Sequence, residues 1–190
     1  MKPKFQPTEL KEVILVEPVV FEDQRGFFLE THHQEKYAEG GIPDMFVQDN
    51  HSYSKRGTLR GLHAQVEQPQ GKLVRVIHGE IFDVAVDIRP SSPTFRKWVY
   101  RILSGENHLQ LWIPPGFAHG FCALSEDAHV HYKCTSFYSK DAEIGILWND
   151  PEIGIDWPVR EPLLSDKDRD ARPLETFLQR LREHGRKDPP

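Results

Sequence analysis

The sequence predicts an all-β protein, built as a sandwich or a jelly-roll barrel. Many short segments alternate apolar and polar residues with the period of two that is typical of half-buried strands. Gly, Pro and Asn separate these segments, as turns between strands require. Helical patterns occur only near the margins of the chain, so a fold of alternating βαβ units is not expected.

The first half of the chain predicts strands at residues 13–20 and 26–31, followed by a helical turn at residues 35–39. Two further strands, at residues 72–78 and 81–89, flank Gly79-Glu80, and this spacing predicts a hairpin. Within the second of them, apolar side chains at even positions alternate with Asp83, Ala85 and Asp87. This alternation predicts that the strand has one apolar face.

The second half continues the same pattern. Segments 95–103 and 108–113 form another predicted pair around residues 104–107, and Pro114-Pro115-Gly116 then forces a turn. Further strands are expected at residues 117–124, 129–138 and 144–148. A C-terminal helix begins at Pro173, and its apolar face comprises Leu174, Phe177, Leu178 and Leu181. The last residues, 185–190, are expected to fray.

Length and composition indicate one domain over residues 1–190, with an N-terminal arm at about 1–12 and a C-terminal helix and tail at about 173–190. The net charge of −5 gives no basic footprint for nucleic acid. No signal-peptide core and no membrane-spanning run is present, so we expect a cytoplasmic protein that does not associate with membranes. Cys122 and Cys134 are expected to be buried, reduced thiols.

His63, which ends the segment Arg56-Gly-Thr-Leu-Arg-Gly-Leu-His63, is the first candidate functional residue because imidazole exchanges protons readily near neutral pH. Inward histidines in a β-barrel also suggest a metal-binding cupin, and Pro114-x-Gly116-x-x-His119 fits the second signature of that fold. The first signature is incomplete, because Gln65 stands where its second histidine is required. His63 and His119 alone supply too few ligands for a transition-metal ion, so no metal site is predicted.

Eight separated segments carry a more specific pattern, within a match that runs in order from about residue 13 to residue 168. They are Asp23-x-Arg25-Gly26-x-Phe28-x-Glu30, Gln48-Asp49-Asn50-x-Ser52, Leu59-Arg60-Gly61-Leu62-His63, Gln70-Gly71-Lys72-Leu73-Val74-Arg75, Pro114-Pro115-Gly116-Phe117-Ala118-His119-Gly120-Phe121, Tyr132-Lys133-Cys134-Thr135, Gly145-Ile146-x-Trp148-Asn149-Asp150 and Leu164-Ser165-x-Lys167-Asp168. Together they closely resemble dTDP-4-dehydrorhamnose 3,5-epimerases.

This resemblance implies a cupin-like jelly roll, a double-stranded β-helix, that works without a cofactor and is usually a homodimer. It implies inversion of two carbons of dTDP-4-dehydro-6-deoxy-D-glucose on the route to dTDP-L-rhamnose. Both carbons flank the C4 ketone, so removing either proton gives an enolate whose charge lies largely on one oxygen. Inversion then requires that a proton return from the opposite face, and an acid must therefore face the base.

By analogy with the family, His63 is the proton acceptor and Tyr132 is the proton donor on the other face. A tyrosine pKa of about 10 keeps the phenol protonated at neutral pH while still permitting transfer to an enolate. Lys72 is expected to stabilise the enolate through its ammonium.

Asp168 is the partner that the resemblance implies for the His63 imidazole. A carboxylate there fixes the tautomer of the ring and favours its protonated form after abstraction. The pairing spans about a hundred residues, and spacing alone does not establish it. Asp83 and Asp170 therefore stay open as rival partners.

The nucleotide end of the substrate needs cations for its pyrophosphate and a flat apolar surface for thymine. The resemblance assigns Tyr138 to stacking on thymine. Arg25 lies near the N-terminal arm, and the resemblance implies that such an arm can reach the pocket of a neighbouring subunit. The full set of expected substrate-binding residues is Arg25, Glu30, Gln48, Asp49, Asn50, Arg60, His119, Tyr138, Glu143 and Lys167.

Two departures from the family pattern bear on specificity. Ser136-Phe137-Tyr138 stands where Asp-Tyr-Tyr is frequent, and Ala64 stands where a tyrosine is frequent. Because both affect pocket shape, a single-carbon epimerase or a ketoisomerase on a related dTDP-keto sugar is the close alternative. A metal-dependent cupin oxygenase and a non-catalytic sugar-nucleotide binding protein are the distant alternatives.

Overall fold

The computed structural model describes residues 2–183, and the predicted frayed tail lies outside them. Thirteen strands and three short helices follow one another along this part of the chain. The strands are β1 (Lys4–Pro7), β2 (Ile14–Glu17), β3 (Val20–Asp23), β4 (Gly26–Leu29), β5 (Gln48–Lys55), β6 (Leu59–Gln65), β7 (Lys72–His78), β8 (Glu80–Asp87), β9 (Trp98–Ser104), β10 (Gln110–Ile113), β11 (Phe117–Ala123), β12 (Asp127–Cys134) and β13 (Glu143–Gly145); the helices are α1 (Gln34–Glu39), α2 (Asp166–Arg169) and α3 (Leu174–Glu183).

The strands form two large antiparallel sheets, which confirms the predicted all-β jelly roll. One sheet has six strands in the order β1-β2-β10-β7-β12-β5, and the other has five in the order β13-β6-β11-β8-β9. Strands β3 and β4 form a separate two-stranded hairpin. The short helices lie at the periphery of this arrangement, as predicted.

Both predicted hairpins in the middle of the chain are wrong. Strand β7 pairs with β10 and β12 in the six-stranded sheet, whereas β8 pairs with β9 and β11 in the five-stranded sheet. Strands β9 and β10 are likewise in different sheets. Gly79 therefore carries the chain from one sheet to the other with φ of 80°, and a Cβ at this position would collide with the carbonyl oxygen of Asp127.

Strand β8 is buried on both faces, which corrects the prediction of a single apolar face. Ile81 and Ala85 pack between the two sheets. Phe82, Val84 and Val86 pack on the outer face of the five-stranded sheet, where the C-terminal segment with α3 covers them. The first three residues of the predicted apolar helix face, Leu174, Phe177 and Leu178, belong to this outer cluster; the side chain of Leu181 lies outside the described set.

Strand β5 was not predicted, because it has no apolar face. Gln48, Asn50 and Ser52 alternate with Asp49, His51 and Tyr53 along it, so both faces carry polar groups and the usual hydrophobic period is missing. Helix α2, a single turn, was also not predicted. Cys122 and Cys134 are both free and buried. No helix within residues 2–183 is long and apolar enough to cross a membrane.

Candidate active site

A cavity of about 420 Å³ opens between the two sheets, where polar side chains replace the apolar core. Strands β5, β7 and β12 supply one wall, strands β6 and β11 supply the other, and α2 and the segment before β13 close the rim. The lining residues are Gln48, Asn50, Ser52, Arg60, His63, Ala64, Gln65, Gln70, Lys72, His119, Phe121, Tyr132, Tyr138, Glu143, Ser165, Lys167 and Asp168.

His63 and Asp168 meet in this cavity, although 105 residues separate them in the chain. The Nε2 atom of His63 lies 2.5 Å from Oδ1 of Asp168, and the carboxylate is nearly buried. Oδ2 of Asp168 accepts a hydrogen bond from the Ser165 hydroxyl at 2.7 Å. Burial alone would raise the pKa of Asp168, but the hydrogen bond and charge of His63, together with Ser165, hold the pKa below its ordinary value. An ionised Asp168 therefore faces the imidazole.

Tyr132 and Lys72 lie on the wall opposite His63. They belong to the neighbouring strands β12 and β7 of the six-stranded sheet, and both side chains face the cavity. Burial lowers the pKa of the Lys72 ammonium, with partial compensation from Cys134 and Glu143. Burial also raises the pKa of the Tyr132 phenol, which keeps it protonated. The cavity thus holds an imidazole and a protonated phenol on opposing walls.

Asp83 is the partner of His119 and not of His63. The Nε2 atom of His119 lies 2.7 Å from Oδ1 of Asp83, and both side chains are buried. Burial raises the pKa of Asp83, although the charge and hydrogen bond of His119 oppose the shift. Asp170, the other rival for His63, is exposed at the end of α2. Geometry therefore leaves Asp168 as the carboxylate against His63.

The remaining predicted binding residues of the cavity form a hydrogen-bonded chain along its rim. The Tyr138 hydroxyl donates to Glu143 at 2.8 Å, and Glu143 pairs with Lys167 at 2.5 Å. Gln48 accepts from the backbone N–H of Tyr138 at 2.9 Å and donates to Asn50 at 3.0 Å. Tyr138 is about half exposed and lines the cavity, so its side chain is accessible to a ligand.

Arg60 enters the cavity from β6 with its guanidinium held by neighbouring groups. It donates to the Ser54 hydroxyl and to the backbone carbonyl of Tyr53, both at 3.0 Å. Because these bonds leave part of its donor fork unused, Arg60 remains able to bind an anion.

Three predicted binding residues do not line the cavity of this chain. Arg25 lies on the exposed β3–β4 hairpin with its guanidinium against Asp23. Glu30 pairs with Lys36 at 2.8 Å. Asp49 lies on the outward face of β5. For Arg25 and Glu30, a role in binding requires a second copy of the chain, or a movement of the hairpin.

Ala64, which was expected to affect the shape of the pocket, lines the cavity. Several other cavity residues were not assigned a role from the sequence, namely Ser52, Gln65, Gln70, Phe121 and Ser165. Ser165 was recoverable, since Ser165-x-x-Asp168 has the spacing of a helix N-cap, and its Oγ accepts the backbone N–H of Asp168 at 3.2 Å. Gln65 gave no such signal, because only the folded chain shows what its carboxamide contacts.

Across residues 2–183, no three His, Cys, Asp or Glu side chains are arranged to hold a metal ion. His63 and His119 each direct Nε2 at a carboxylate on the protein. The fold and this cavity define a jelly-roll enzyme equipped for general acid–base chemistry. The sequence profile of dTDP-4-dehydrorhamnose 3,5-epimerase matches residues 7–176. The chain belongs to this family.

Known relatives span nearly the whole chain. The dTDP-4-dehydrorhamnose 3,5-epimerase of Shigella flexneri is 61% identical over 163 residues, covering 85% of this chain and 90% of the relative. The crystal structure of the dTDP-6-deoxy-D-glucose-3,5-epimerase of Legionella pneumophila Philadelphia 1, in complex with dTDP-4-keto-L-rhamnose, superimposes with a TM-score of 0.91 at 51% identity, covering 94% and 96% of the two chains. A more distant relative, the dTDP-4-dehydrorhamnose 3-epimerase of Streptomyces niveus, is 38% identical over 170 residues, covering 88% of this chain and 82% of the relative.

Proposed function

We propose that this chain converts dTDP-4-dehydro-6-deoxy-D-glucose into dTDP-4-dehydro-6-deoxy-L-mannose, with His63 as base, Tyr132 as acid and Lys72 as stabiliser of the enolate. The observation that carries the proposal is the opposition of His63 and Tyr132 across one cavity, each on a different sheet. A base and an acid on opposite walls can address the two faces of one carbon, as inversion requires.

The first step is proton abstraction next to the C4 ketone. With Nε2–H donating to Asp168, the Nδ1 lone pair of His63 takes the proton, and the electrons of the C–H bond form the C=C bond of the enolate. The displaced electrons of the C=O bond reside on the C4 oxygen, where the Lys72 ammonium stabilises them. Asp168 stabilises the imidazolium that results.

The second step returns a proton to the opposite face of the same carbon. Tyr132 donates its phenolic proton, the C4 carbonyl re-forms, and a tyrosinate remains. Solvent reprotonates Tyr132 and accepts the proton of His63, so that the pair is ready for the second carbon.

The nucleotide end is assigned to the rim of the same cavity. Tyr138 offers an exposed ring face on which thymine can stack, and Arg60 offers guanidinium donors to the pyrophosphate. The remaining polar groups suit the sugar hydroxyls and the base, and they are Gln48, Asn50, His119, Glu143 and Lys167.

We further propose a homodimer in which Arg25 completes the pocket of the partner. Phe21, Phe27 and Phe28 surround Arg25 on the β3–β4 hairpin, and all three are about half exposed or more. Such an apolar cluster on a two-stranded hairpin is typical of a protein–protein contact. Glu30 follows β4 and is expected to reach the same neighbouring site, whereas Asp49 is assigned to supporting β5 through Lys133. Cys122 and Cys134, both buried thiols, suit the reducing cytoplasm in which we propose that the enzyme acts.

A single-carbon epimerase is the second candidate, because the Streptomyces niveus relative is named a 3-epimerase at 38% identity. Both candidates use the same base and cavity, and they differ in which carbon the base reaches.

Proton NMR of dTDP-4-dehydro-6-deoxy-D-glucose in D2O distinguishes the two, with a coupled reductase to trap the product and a parallel sample containing a chelator. Deuterium at both C3 and C5, trapped as dTDP-L-rhamnose, is the expected result. Deuterium at C3 alone would establish the single-carbon enzyme. Loss of exchange in the chelator sample would favour a metal cupin, and binding without exchange would indicate a non-catalytic protein.

A further inference from the structure

Gln65 is a buried carboxamide in the cavity wall, two residues beyond His63 on β6. Its exposed fraction is 5%. Because side chains two residues apart share one face of a strand, Gln65 lies on the same side of β6 as His63, towards the nucleotide end. It occupies the position at which a metal cupin carries a second histidine, yet its amide is already fully bonded within the protein.

The carboxamide of Gln65 joins three segments of the chain. Its nitrogen donates to the carbonyl oxygens of Gln68 at 2.7 Å and Phe137 at 3.1 Å. Its oxygen accepts the backbone N–H of Ser139 at 2.9 Å. The residues on either side of Tyr138 are thus both bonded to Gln65.

Hydrogen bonds, more than apolar packing, hold the segment that Gln65 bonds. Besides the bonds from Gln65, the backbone N–H of Tyr138 donates to Gln48 and the carbonyl of Ser139 accepts the backbone N–H of Glu143. Phe137 and Tyr138 are 66% and 52% exposed, so apolar burial contributes little to their position. A ring that must stack on a ligand binds more tightly when its backbone is already held in the binding geometry, because less conformational freedom is lost on association.

We infer that Gln65 is a positioning residue for nucleotide recognition, which holds the Phe137–Ser139 backbone so that the Tyr138 ring is presented to the thymine. The inference rests on the stacking role proposed above for Tyr138. The position at which a metal cupin carries its second histidine thus serves substrate binding in this chain.

Isothermal titration calorimetry with dTDP tests this role. Gln65→Ala should raise the Kd for dTDP by about tenfold, which is the equivalent of one to two ordinary hydrogen bonds. Gln65→Glu should also weaken binding, because a carboxylate of the same shape cannot donate to the two carbonyl oxygens. In steady-state kinetics the loss should appear chiefly as a raised KM.

Asn107→Ala is the matched control. Asn107 is also a carboxamide with three hydrogen bonds to backbone, to Ser104, Leu109 and Ile102, but it lies outside the cavity. Its replacement should leave the Kd for dTDP unchanged even if it lowers thermal stability. An equal rise in Kd for the Asn107 and Gln65 variants would overturn the inference, since general loosening would then explain both.

A double-mutant cycle with Tyr138→Ala separates this inference from the proposed function. If Gln65 acts through the ring, the double variant should bind dTDP no more weakly than Tyr138→Ala alone. Two outcomes would refute the role of Gln65 and leave the stacking proposal intact. In the first, the increases in Kd of the two single variants multiply in the double variant; in the second, the Gln65 variants bind dTDP normally while Tyr138→Ala binds it weakly. Normal affinity in Tyr138→Ala would refute the stacking role, and the inference with it.

Discussion

Replacing Asp168 by Asn removes one charge from the His63–Asp168 pair and keeps its shape. The carboxylate is 2.5 Å from Nε2 of His63 and is itself nearly buried, so solvent screens the pair only weakly. In the proposed mechanism the charge stabilises the imidazolium that forms when His63 takes a proton. In the Asp168→Asn variant this stabilisation is absent, while Ser165 can still hold the side chain in place.

The magnitude follows from the geometry. Each charge is shared by two atoms, so the charge centres lie farther apart than the 2.5 Å contact between Nε2 and Oδ1. Two unit charges about 4 Å apart near a protein surface interact by about 4 kcal/mol. His63 retains 27% of its side-chain exposure, which reduces this value modestly. A loss of about 3–4 kcal/mol in the transition state corresponds to a rate lower by about 10²- to 10³-fold.

The assay is deuterium entry at C3 and C5 by proton NMR, together with steady-state measurement of kcat/KM. Asp170→Asn is the control, since Asp170 is exposed and does not line the cavity. Two results would refute the assignment of Asp168. One is an Asp168→Asn enzyme within about threefold of the wild-type rate, and the other is an Asp170→Asn enzyme that turns over more slowly than the Asp168→Asn enzyme.

Three further substitutions have distinct expected outcomes. Tyr132→Phe should retain proton abstraction, seen as deuterium exchange, while lowering formation of inverted product by at least about 10²-fold; normal inversion would mean that another group is the acid. Lys72→Met should lower kcat by about 10²- to 10³-fold with little change in the Kd for dTDP, and a loss confined to dTDP binding would place Lys72 with the nucleotide instead. Asp83→Asn should flatten the pH dependence of stability measured by urea unfolding. Because burial raises the pKa of Asp83 above its ordinary value of 3.8, the wild type loses stability as the pH rises from that value to the folded-state pKa, by about 1.4 kcal/mol for each pH unit between the two, and the amide does not; parallel curves for the two proteins would contradict this.

Much of the fold was predictable because apolar alternation is a local property. Strand β7 was predicted with its observed bounds, and most other strands were predicted to within a few residues. Strand β5 was not predicted because its inward side chains face a polar cavity; they are Gln48, Asn50 and Ser52. A strand that lines a polar site lacks the hydrophobic signal by which strands are recognised in a sequence.

The partners of the strands were less predictable than the strands themselves. Gly79-Glu80 has the composition of a hairpin turn, yet it joins strands of two different sheets. A hairpin turn within one sheet and a short connection between two sheets place the same local requirements on the backbone. The choice depends on which distant strands, such as β12 for β7 and β11 for β8, offer the better pairing.

The sequence by itself determined the strand-rich class of the fold, through periodicity, and the chemical groups available for catalysis, through the segments that resemble the family. The tertiary structure alone decided which groups act together. It set His63 against Asp168 and Asp83 against His119, and it left Arg25 outside the cavity of its own chain. The physical reason is that hydrogen bonds and burial depend on distance in space. His119 reaches Asp83 only when β11 pairs with β8, and His63 reaches Asp168 only when α2 packs against β6.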